Sequence, residues 1–316
     1  MSRLRALIAL GGNAMTGPGG DAAPGEQDRA VTVAMDRVAD LVGGGVDVLL
    51  THGNGPQVGN LLVKNELAAH VVPPVPLDWC GAQTQGTIGF LVLDALESAL
   101  AARGLGTRVA TVVTRTLVDG QDPGFGKPTK PIGRYLPEPE ARALMEHGQV
   151  WEDRGSRGWR RVVASPEPLE ILDAPAIATL AAAGYVVLGA GGGGIPVVRG
   201  PDGVLRGVEA VIDKDLSAAL LARSADVDVL VIATDVEHVV LGWGTDDEQP
   251  IGRVTAEEMR RIEQEHDFAS GSMGPKVEAA LRFVESGGTR SVITSLENIE
   301  QAVHGRAGTV IEAERS

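Results

Sequence analysis

A run of glycines directly behind an apolar segment is the feature that most constrains this chain. The segment Tyr185–Leu188 is typical of a buried strand, and five of the six residues from Gly189 to Gly194 are glycine. Because glycine lacks a Cβ, such a turn can adopt φ > 0 and let another group approach its amides. Ile195-Pro196 follows, which predicts extended chain instead of the helix of a dinucleotide-binding turn. The pattern indicates an anion site of another kind, with a flexible surface loop as the alternative.

Composition sets the class of protein and excludes several partners. The chain has 316 residues, of which 43% are apolar, and 28 Lys and Arg against 42 Asp and Glu give a net charge of −14. This acidity opposes attraction to nucleic acid or anionic lipid, so an anionic substrate needs locally placed cations. Cys80 is the only cysteine, and no apolar segment reaches the ~18 residues of a membrane helix. We expect a soluble, cytoplasmic protein with no nucleic-acid or membrane partner.

Apolar runs alternate with amphipathic segments along most of the chain. The runs predicted as strands are Arg5–Leu10, Val46–Leu50, Val109–Thr114, Tyr185–Leu188, Gly207–Ile212, Val227–Ala233 and Ser291–Thr294. The predicted helices are Glu26–Val42, Val58–Ala69, Ala82–Arg103, Ala174–Gly184, Leu216–Ala225, Thr255–Glu265, Val277–Glu285 and Leu296–Val303. Continuous apolar strands separated by helices are typical of a parallel sheet that is covered on both faces. The sequence therefore predicts an α/β fold.

The alternation stops in the segment 119–168, which is rich in Pro, Gly and charge and contains Trp151 and Trp159. We interpret this segment as a small inserted subdomain. Prolines flank Lys127 and Lys130 and stiffen the chain around them. A rigid cationic tip of this kind could close over a site as a lid, or it could be a stiffened surface loop.

Two further glycine-rich turns follow predicted strands. Gly11-Gly12-Asn13 ends the first strand and Gly53-Asn54-Gly55 ends the second. Each alone is equally consistent with a tight turn. In parallel sheets, ligands bind beyond the carboxyl ends of the strands, so we expect these turns and the central glycine run to converge on one site. Three groups of free backbone amides would suit a phosphate or a carboxylate.

Two lysines are candidates for charge at that site. Lys276 lies at a predicted helix start, where cations are electrostatically unfavourable unless an anion binds there. Lys214 lies between Asp213 and Asp215, with Asp215 as the predicted N-cap of the next helix. The six histidines show no zinc-ligand or catalytic-triad pattern. Glycine-rich turns with lysines and little general-base equipment are typical of phosphoryl transfer, which depends on positioning and positive charge.

At seven stretches the sequence resembles the carbamate kinases of the amino-acid kinase superfamily. These stretches are Ala9–Asn13, Thr51–Val58, Pro76–Gly86, Pro128–Gly133, Gly191–Pro196, Gly207–Asp215 and Gly271–Lys276. They extend from one end of the chain to the other. The Pro-Thr-Lys-Pro insertion and the Asp-Lys-Asp element distinguish this family from its relatives.

The resemblance implies a three-layer αβα sandwich around a mainly parallel sheet, with a protruding subdomain, in a homodimer. It implies one domain of two lobes: residues 1–170 on the carbamate side, with a lid at about 119–168, and residues 171–316 on the nucleotide side. The implied reaction is reversible phosphoryl transfer between ATP and carbamate, with Mg²⁺ bound to the nucleotide. In this family the reaction often makes ATP from carbamoyl phosphate at the end of arginine or purine breakdown.

The resemblance also implies a role for individual residues. Those that would bind carbamate or carbamoyl phosphate are Gly11, Gly12, Asn13, Gly53, Asn54, Gly192 and Gly193. Those that would act in catalysis are Lys130, Lys214, Asp215 and Lys276. Those on the nucleotide side would be Thr234, Asp235, Met273 and Lys276. No metal ligand is implied. The chain departs from the family pattern at His238, where a glycine is usual, and at Gly274, where leucine is commoner.

Three alternatives remain open on sequence alone. Related kinases for a small carboxylate or a nucleoside monophosphate tend to carry a lysine in the first strand-turn, and Ala6–Asn13 has none. An NAD-dependent oxidoreductase would need a helix directly after Gly194. A catalytically inactive binding module is disfavoured by the presence together of Lys130, Lys214, Asp215 and Lys276.

Overall fold

The computed structural model of the protein describes residues 3–17, 23–266, 268 and 273–314, with only the backbone described at Asn13. The strands are β1 (Arg5–Leu10), β2 (Asp47–His52), β3 (Val109–Thr111), β4 (Arg115–Val118), β5 (Lys130–Leu136), β6 (Val150–Asp153), β7 (Trp159–Val163), β8 (Pro168–Ile171), β9 (Val186–Leu188), β10 (Ile195–Arg199), β11 (Leu205–Gly207), β12 (Val229–Thr234), β13 (Val240–Leu241), β14 (Gln249–Pro250), β15 (Arg253–Thr255), β16 (Arg290–Ser295) and β17 (Thr309–Glu312). The helices are α1 (Pro24–Gly43), α2 (Gly55–Ala68), α3 (Leu77–Ala102), α4 (Pro123–Gly126), α5 (Glu138–Met145), α6 (Ala174–Ala182), α7 (Lys214–Ser224), α8 (Ala256–Glu265), α9 (Met273–Glu285) and α10 (Ile299–Val303).

The central sheet of the described chain has eight strands in the order β15-β17-β16-β12-β1-β2-β9-β3. Neighbouring strands are parallel except β16 and β17, which are antiparallel. Strand β1 lies in the middle of the sheet and pairs with β12 on one side and β2 on the other. The predicted mainly parallel sheet is confirmed.

Successive residues of the central strands face two different cores. Ile8 of β1 packs with α1, α3 and α10 on one face of the sheet. Leu7 and Ala9 pack with α6, α7, α8 and α9 on the other face. Burial on both faces explains why these strands are continuous apolar runs instead of alternating ones. The result is the predicted three-layer αβα arrangement.

A second sheet has the order β11-β10-β4-β8. Its strands were not predicted, except that β10 confirms the extended chain after the glycine run and β11 includes Gly207 of a predicted strand. Val118 of β4 pairs with Pro168 of β8, so the chain leaves and re-enters the body at neighbouring positions. The intervening segment forms an antiparallel sheet in the order β5-β7-β6, with α5 packed against it. This inserted sheet is the protruding subdomain of the predicted fold.

The inserted sheet touches the body through a close contact between two glycines. A Cβ added to Gly59 of α2 would lie 2.4 Å from the Cα of Gly133 in β5. Since real Cβ atoms do not approach this closely, only glycine fits at position 59 without a shift of the sheet. This contact fixes the distance between α2 and the strand that begins at Lys130.

Several predicted boundaries were wrong. The predicted strand Gly207–Ile212 is strand only at Gly207, because the amides of Val208 and Val211 bond to Pro196 and Ala164 in irregular chain. The predicted strand at Val109 ends at Thr111, and the predicted helix from Leu296 begins as a 3₁₀ turn before α10. The division into two lobes stays a prediction, and β9 from the second half of the chain lies between β2 and β3. No described helix has the length and apolarity needed to span a membrane.

Candidate active site

Five neighbouring parallel strands end along one edge of the central sheet. At or directly after the carboxyl ends of β16, β12, β1, β2 and β9 lie, in that order, Ser295, Thr234-Asp235, Gly11-Gly12, Gly53-Asn54 and the glycine run from Gly189. The expected convergence of the polar turns is confirmed. It follows from parallel pairing, which places every carboxyl end on the same side.

Two cavities lie along this edge. The larger, of about 430 Å³, is lined by Gly11, Gly12, Ala14, Lys214, Ala233, Thr234, Asp235, Lys276, Ser295, Leu296 and Glu297. The smaller, of about 240 Å³, lies beneath the inserted sheet and is lined by Gly12, Gly53, Asn54, Gly55, Pro56, Lys130, Pro131, Ile132, Gly192, Val211, Ile212, Asp213, Lys214, Asp215 and Lys276. Gly12, Lys214 and Lys276 line both cavities. A group that moves from one cavity to the other passes these two lysines.

Lys214 and Lys276 are held by one carboxylate. Lys214 Nζ donates to Asp215 Oδ1 at 2.5 Å, and Lys276 Nζ donates to Asp215 Oδ2 at 2.9 Å. Asp215 and Lys276 are buried and Lys214 is nearly so, with side-chain exposed fractions of 4%, 11% and 12%. Two ammonium groups against one carboxylate leave a net positive charge for an anionic ligand.

The pKa values of this cluster follow from burial and charge. Burial raises the pKa of Asp215, but the charges and hydrogen bonds of the two lysines outweigh burial and hold that pKa well below its usual range. Burial lowers the pKa of Lys276, but its contact with Asp215 more than compensates and the net shift is upward. Burial and the charge of Lys276 lower the pKa of Lys214 in spite of Asp215. The carboxylate therefore stays ionised and keeps both lysines in place.

The predicted N-cap of α7 was wrong by two residues. Asp213 is the N-cap, and its Oδ1 accepts from the amides of Asp215 at 2.9 Å and Leu216 at 3.2 Å. The helix begins at Lys214 and not at Leu216. Because Asp213 caps the helix, the side chain of Asp215 is free to bind both lysines.

Lys130 reaches the smaller cavity from the inserted sheet. Its Nζ donates to Asp213 Oδ2 at 2.6 Å, and its side chain is 32% exposed. Lys127, the other lysine of the proline-stiffened segment, is exposed and lines neither cavity. Only Lys130 of this pair lies at the site.

The glycine run forms a turn that other residues could not form. Gly192, Gly193 and Gly194 have φ of +64°, +88° and +90°. A Cβ on Gly192 would lie 2.1 Å from Asn54 Nδ2, and one on Gly193 would lie 2.5 Å from the carbonyl oxygen of Ile212. The turn therefore packs directly against the second-strand loop and the chain before α7.

Buried hydroxyl and amide groups bind the carbonyls of this turn. Thr116 Oγ1 and Ser217 Oγ both donate to the Gly193 carbonyl, at 2.7 and 2.8 Å. Gln85 Nε2 donates to the Gly191 carbonyl at 3.0 Å. These contacts fix the turn from behind. Gln85 falls in a stretch quoted for the resemblance, but its role, like those of Thr116 and Ser217, was not predicted because it depends on tertiary contacts.

The second-strand loop is fixed in the same way. Asn54 Nδ2 donates to Thr84 Oγ1 at 2.8 Å. His52 is buried behind the loop, and its Nδ1 donates to the Gly53 carbonyl at 3.0 Å. Burial lowers the pKa of His52 to about 4, with the charge of Lys214 acting in the same direction. The imidazole is therefore neutral at pH 7 and serves the packing of the loop.

The remaining predicted residues fall in different places. Thr234 and Asp235 line the larger cavity, as do Ser295 and Glu297, which were not predicted. Met273 begins α9 and packs, half-buried, against the core on that face of the sheet. The backbone of Asn13 forms the turn after β1. The predicted stretch at Gly271 and Ser272 lies outside the described residues.

Comparison with known proteins agrees with this geometry. The model of the amino acid kinase family matches residues 5–295. The chain therefore belongs to the amino acid kinase family.

Several of the similar proteins are carbamate kinases or carbamate kinase-like proteins. The chain is 45% identical to the carbamate kinase of Thermococcus kodakarensis, over 98% of this chain and 99% of that protein. It is 46% identical to the carbamate kinase-like protein YahI of Escherichia coli, over 96% and 98%. The structure of the carbamate kinase from Giardia lamblia bound to AMP-PNP superposes with a TM-score of 0.91 at 40% identity, over 99% of both chains.

Proposed function

We propose that this protein is a carbamate kinase, a phosphotransferase that catalyses reversible phosphoryl transfer between ATP and carbamate. The observation that carries the proposal is the meeting of two cavities at Lys214 and Lys276. The larger cavity has room for a nucleotide and the smaller for a small acyl phosphate. The names of the full-length relatives support the choice of carbamate.

In the direction of ATP synthesis, a terminal phosphate oxygen of ADP attacks the phosphorus of carbamoyl phosphate. A bond forms between that oxygen and phosphorus, and the bond between phosphorus and the carbamate oxygen breaks. The products are ATP and carbamate, and no proton has to move. Because no proton moves, the reaction needs no general base beside the two lysines.

Lys214 and Lys276 supply the positive charge that phosphoryl transfer requires. Charge on the transferring group is spread over its peripheral oxygens in the transition state, so fixed cations there lower the barrier. Lys214 and Lys276 lie where the group crosses between the cavities, and Asp215 fixes both. Burial strengthens these electrostatic interactions because little water is present to screen them.

The glycine-rich turns would position the substrate. We propose that the amides of Gly12 and Gly192, with Asn54, hold carbamoyl phosphate in the smaller cavity, which these three residues line. Two other predicted amides, those of Gly53 and Gly193, donate to the carbonyls of Leu10 and Ala190 and shape the turns instead. Gly11 lines the larger cavity, and Asn13 stays a prediction. Lys130 would bind the same ligand from above. The small size of this cavity favours carbamate over a nucleoside monophosphate as the phosphoryl acceptor. We propose that Thr234 and Asp235 contact the nucleotide and that Met273 supports this side from the start of α9.

Mg²⁺ would arrive with the nucleotide. The described residues contain no group of three or more His, Cys, Asp or Glu that could hold a metal ion. Magnesium in kinases is commonly bound by substrate phosphates, water and one or two carboxylates, and Asp235 and Glu297 line the nucleotide cavity. When bound, the ion would neutralise charge on the nucleotide phosphates.

We also propose that the protein is a homodimer. It is supported by Trp79 and Phe90 of α3, each 58% exposed, and by Val113, equally exposed beyond the edge strand β3. Large apolar side chains at the surface are common where copies of a chain meet. Light scattering with size-exclusion chromatography would measure the mass in solution. The cytoplasmic location and the link to arginine breakdown stay predictions.

The test of the reaction is ATP formation from ADP, Mg²⁺ and carbamoyl phosphate, with acetyl phosphate as the control donor. We expect rapid synthesis that is selective for carbamoyl phosphate. Equal rates with both donors would favour a less selective acyl phosphate kinase. No synthesis from folded protein would contradict the proposal.

A further inference from the structure

Asp213 connects the inserted sheet to the helix that carries the lysine cluster. Its Oδ1 caps α7 through the amides of Asp215 and Leu216. Its Oδ2 accepts from Lys130 Nζ at 2.6 Å. The side chain of Asp213 is only 13% exposed. This largely buried carboxylate therefore connects strand β5 of the inserted sheet with helix α7 of the body, through two residues that lie 83 positions apart in the sequence.

The inserted subdomain is attached to the body on two sides. On the α2 side, Gly133 contacts Gly59, and Arg161 and Gln149 contact Glu66. On the α7 side, across the smaller cavity, the contact is between Lys130 and Asp213. An apolar cluster of Ile132 and Val163 with α2 and α3 adds to the first attachment. The pair of Lys130 with Asp213 is the attachment made by two charged groups that line the cavity, so it holds the sheet at the point where the ligand would bind.

The charge of Asp213 requires an explanation beyond capping. Asn and Ser cap helices about as well as Asp, so the cap alone does not need a carboxylate. A negative charge beside a cavity for an anionic ligand also opposes binding. The benefit that offsets this repulsion is the fixed position of Lys130, whose flexible side chain would otherwise lose conformational freedom when the ligand binds.

We propose that Asp213 is a positioning residue that holds Lys130 over the smaller cavity and keeps the inserted sheet closed against α7 before the substrate binds. This inference rests on the proposed function for the identity of the ligand. The phosphate of carbamoyl phosphate then competes with Asp213 for the ammonium group of Lys130. Asp213 acts through Lys130 and does not contact the transferring group.

The first test is Asp213→Asn, which keeps a capping oxygen but removes the charge. We expect a KM for carbamoyl phosphate about tenfold higher, with kcat within about threefold of the wild type, because ground-state positioning is lost. Lys130→Ala with Asp213→Asn should be no worse than Lys130→Ala alone, since the two residues act as a unit. Additive losses would overturn the proposal.

The matched control is Asp202→Asn. Asp202 Oδ1 also accepts from the amide two residues later, that of Val204, and its carboxylate pairs with Arg206, but on an exposed turn. This variant removes the same charge from the same kind of contact outside the site. We expect its KM and kcat to equal those of the wild type, so that a general effect of net charge is excluded.

The second test needs no turnover. Hydrogen exchange of the ligand-free protein should be faster across Lys130–Val163 in both Asp213→Asn and Lys130→Ala, and unchanged in α7. Faster exchange in α7 instead would show that Asp213 is only a cap and would overturn the proposal, as would wild-type exchange in both variants. Failure of the wild type to make ATP would contradict the proposed function alone, because the exchange result does not depend on it.

Discussion

The lysine cluster of the body and the lysine of the inserted sheet are built in different ways. Lys214 and Lys276 are nearly buried, come from helices packed on the central sheet and share Asp215. Lys130 is 32% exposed, comes from a separate sheet and pairs across the cavity with Asp213. We propose on this basis that the charge needed for the reaction belongs to the folded core, and that the charge needed to hold the substrate belongs to an element that docks on that core.

The backbone of the site shows the same contrast. Buried groups bind the carbonyls of the glycine turn, and two hydroxyls bind the carbonyl of Gly193. The inserted sheet docks through the contact of Gly59 with Gly133, an apolar cluster of its Ile132 and Val163 with α2 and α3, and a few polar contacts. We therefore expect changes in the body to affect kcat and changes at the docking contacts to affect KM.

The largest expected effect is that of Lys276→Ala. Removal of one ammonium group from the transition state should lower kcat by about 10²–10³-fold or more, in line with the loss of a single preorganised donor at other active sites. Lys214 still neutralises Asp215, so the fold should persist. Steady-state ATP synthesis and circular dichroism would measure the two properties.

Lys127→Ala is the control for this change, because Lys127 is exposed and lines neither cavity. It should keep the wild-type rate. A folded Lys276→Ala protein with near-normal kcat would remove Lys276 from the reaction.

A smaller effect is expected from Gly59→Ala, which alters the docking of the inserted sheet. Gly→Ala within a helix normally stabilises by about 0.5–1 kcal/mol. At position 59 the new Cβ meets Gly133 at 2.4 Å, so we expect destabilisation of about 1–3 kcal/mol and a KM for carbamoyl phosphate roughly tenfold higher. Urea unfolding and steady-state kinetics would measure both.

Gly81→Ala in α3 is the matched helical control, since no atom lies within 4 Å of its added Cβ. It should leave stability unchanged or higher. Equal effects at the two positions would mean that the glycine contact does not position the sheet.

The smallest effect at neutral pH is expected from His52, whose contribution appears only as a pH dependence of stability in acid. Its pKa is about 4 in the folded protein and 6.5 in the unfolded chain, so below pH 6.5 the unfolded state binds more protons. Stability is therefore full above pH 6.5 and declines as the pH falls to about 4, by up to about 3 kcal/mol. Urea midpoints at pH 7.5 and pH 5 should differ less in His52→Gln than in the wild type. The same difference in both proteins would assign the dependence to other groups.

The sequence predicted the parts of the molecule that depend on local pattern. The buried strands β1, β2, β12 and β16 were predicted because burial on both faces produces uninterrupted apolar runs. The second sheet was missed because its strands are short and pair over long sequence distances. For the same reason the antiparallel order of the inserted sheet could not be derived.

For the site, the predicted lysines and glycines converge, but their supporting contacts were not predictable. The residue type at Asp213 and Asp215 allowed either to cap α7, and only the geometry assigns the cap to Asp213. Ser217 and Thr116 are ordinary hydroxyl residues in sequence, and their common acceptor, the Gly193 carbonyl, becomes visible only in three dimensions.

The proposed contrast is between the buried lysines of the body and Lys130 of the inserted sheet. Its most direct test is to measure kcat and KM for carbamoyl phosphate in Lys214→Ala and Lys130→Ala side by side. We predict that Lys214→Ala lowers kcat by about 10²-fold or more with little change in KM, and that Lys130→Ala mainly raises KM. Equal changes in kcat for both variants, or a loss of kcat confined to Lys130→Ala, would contradict the account.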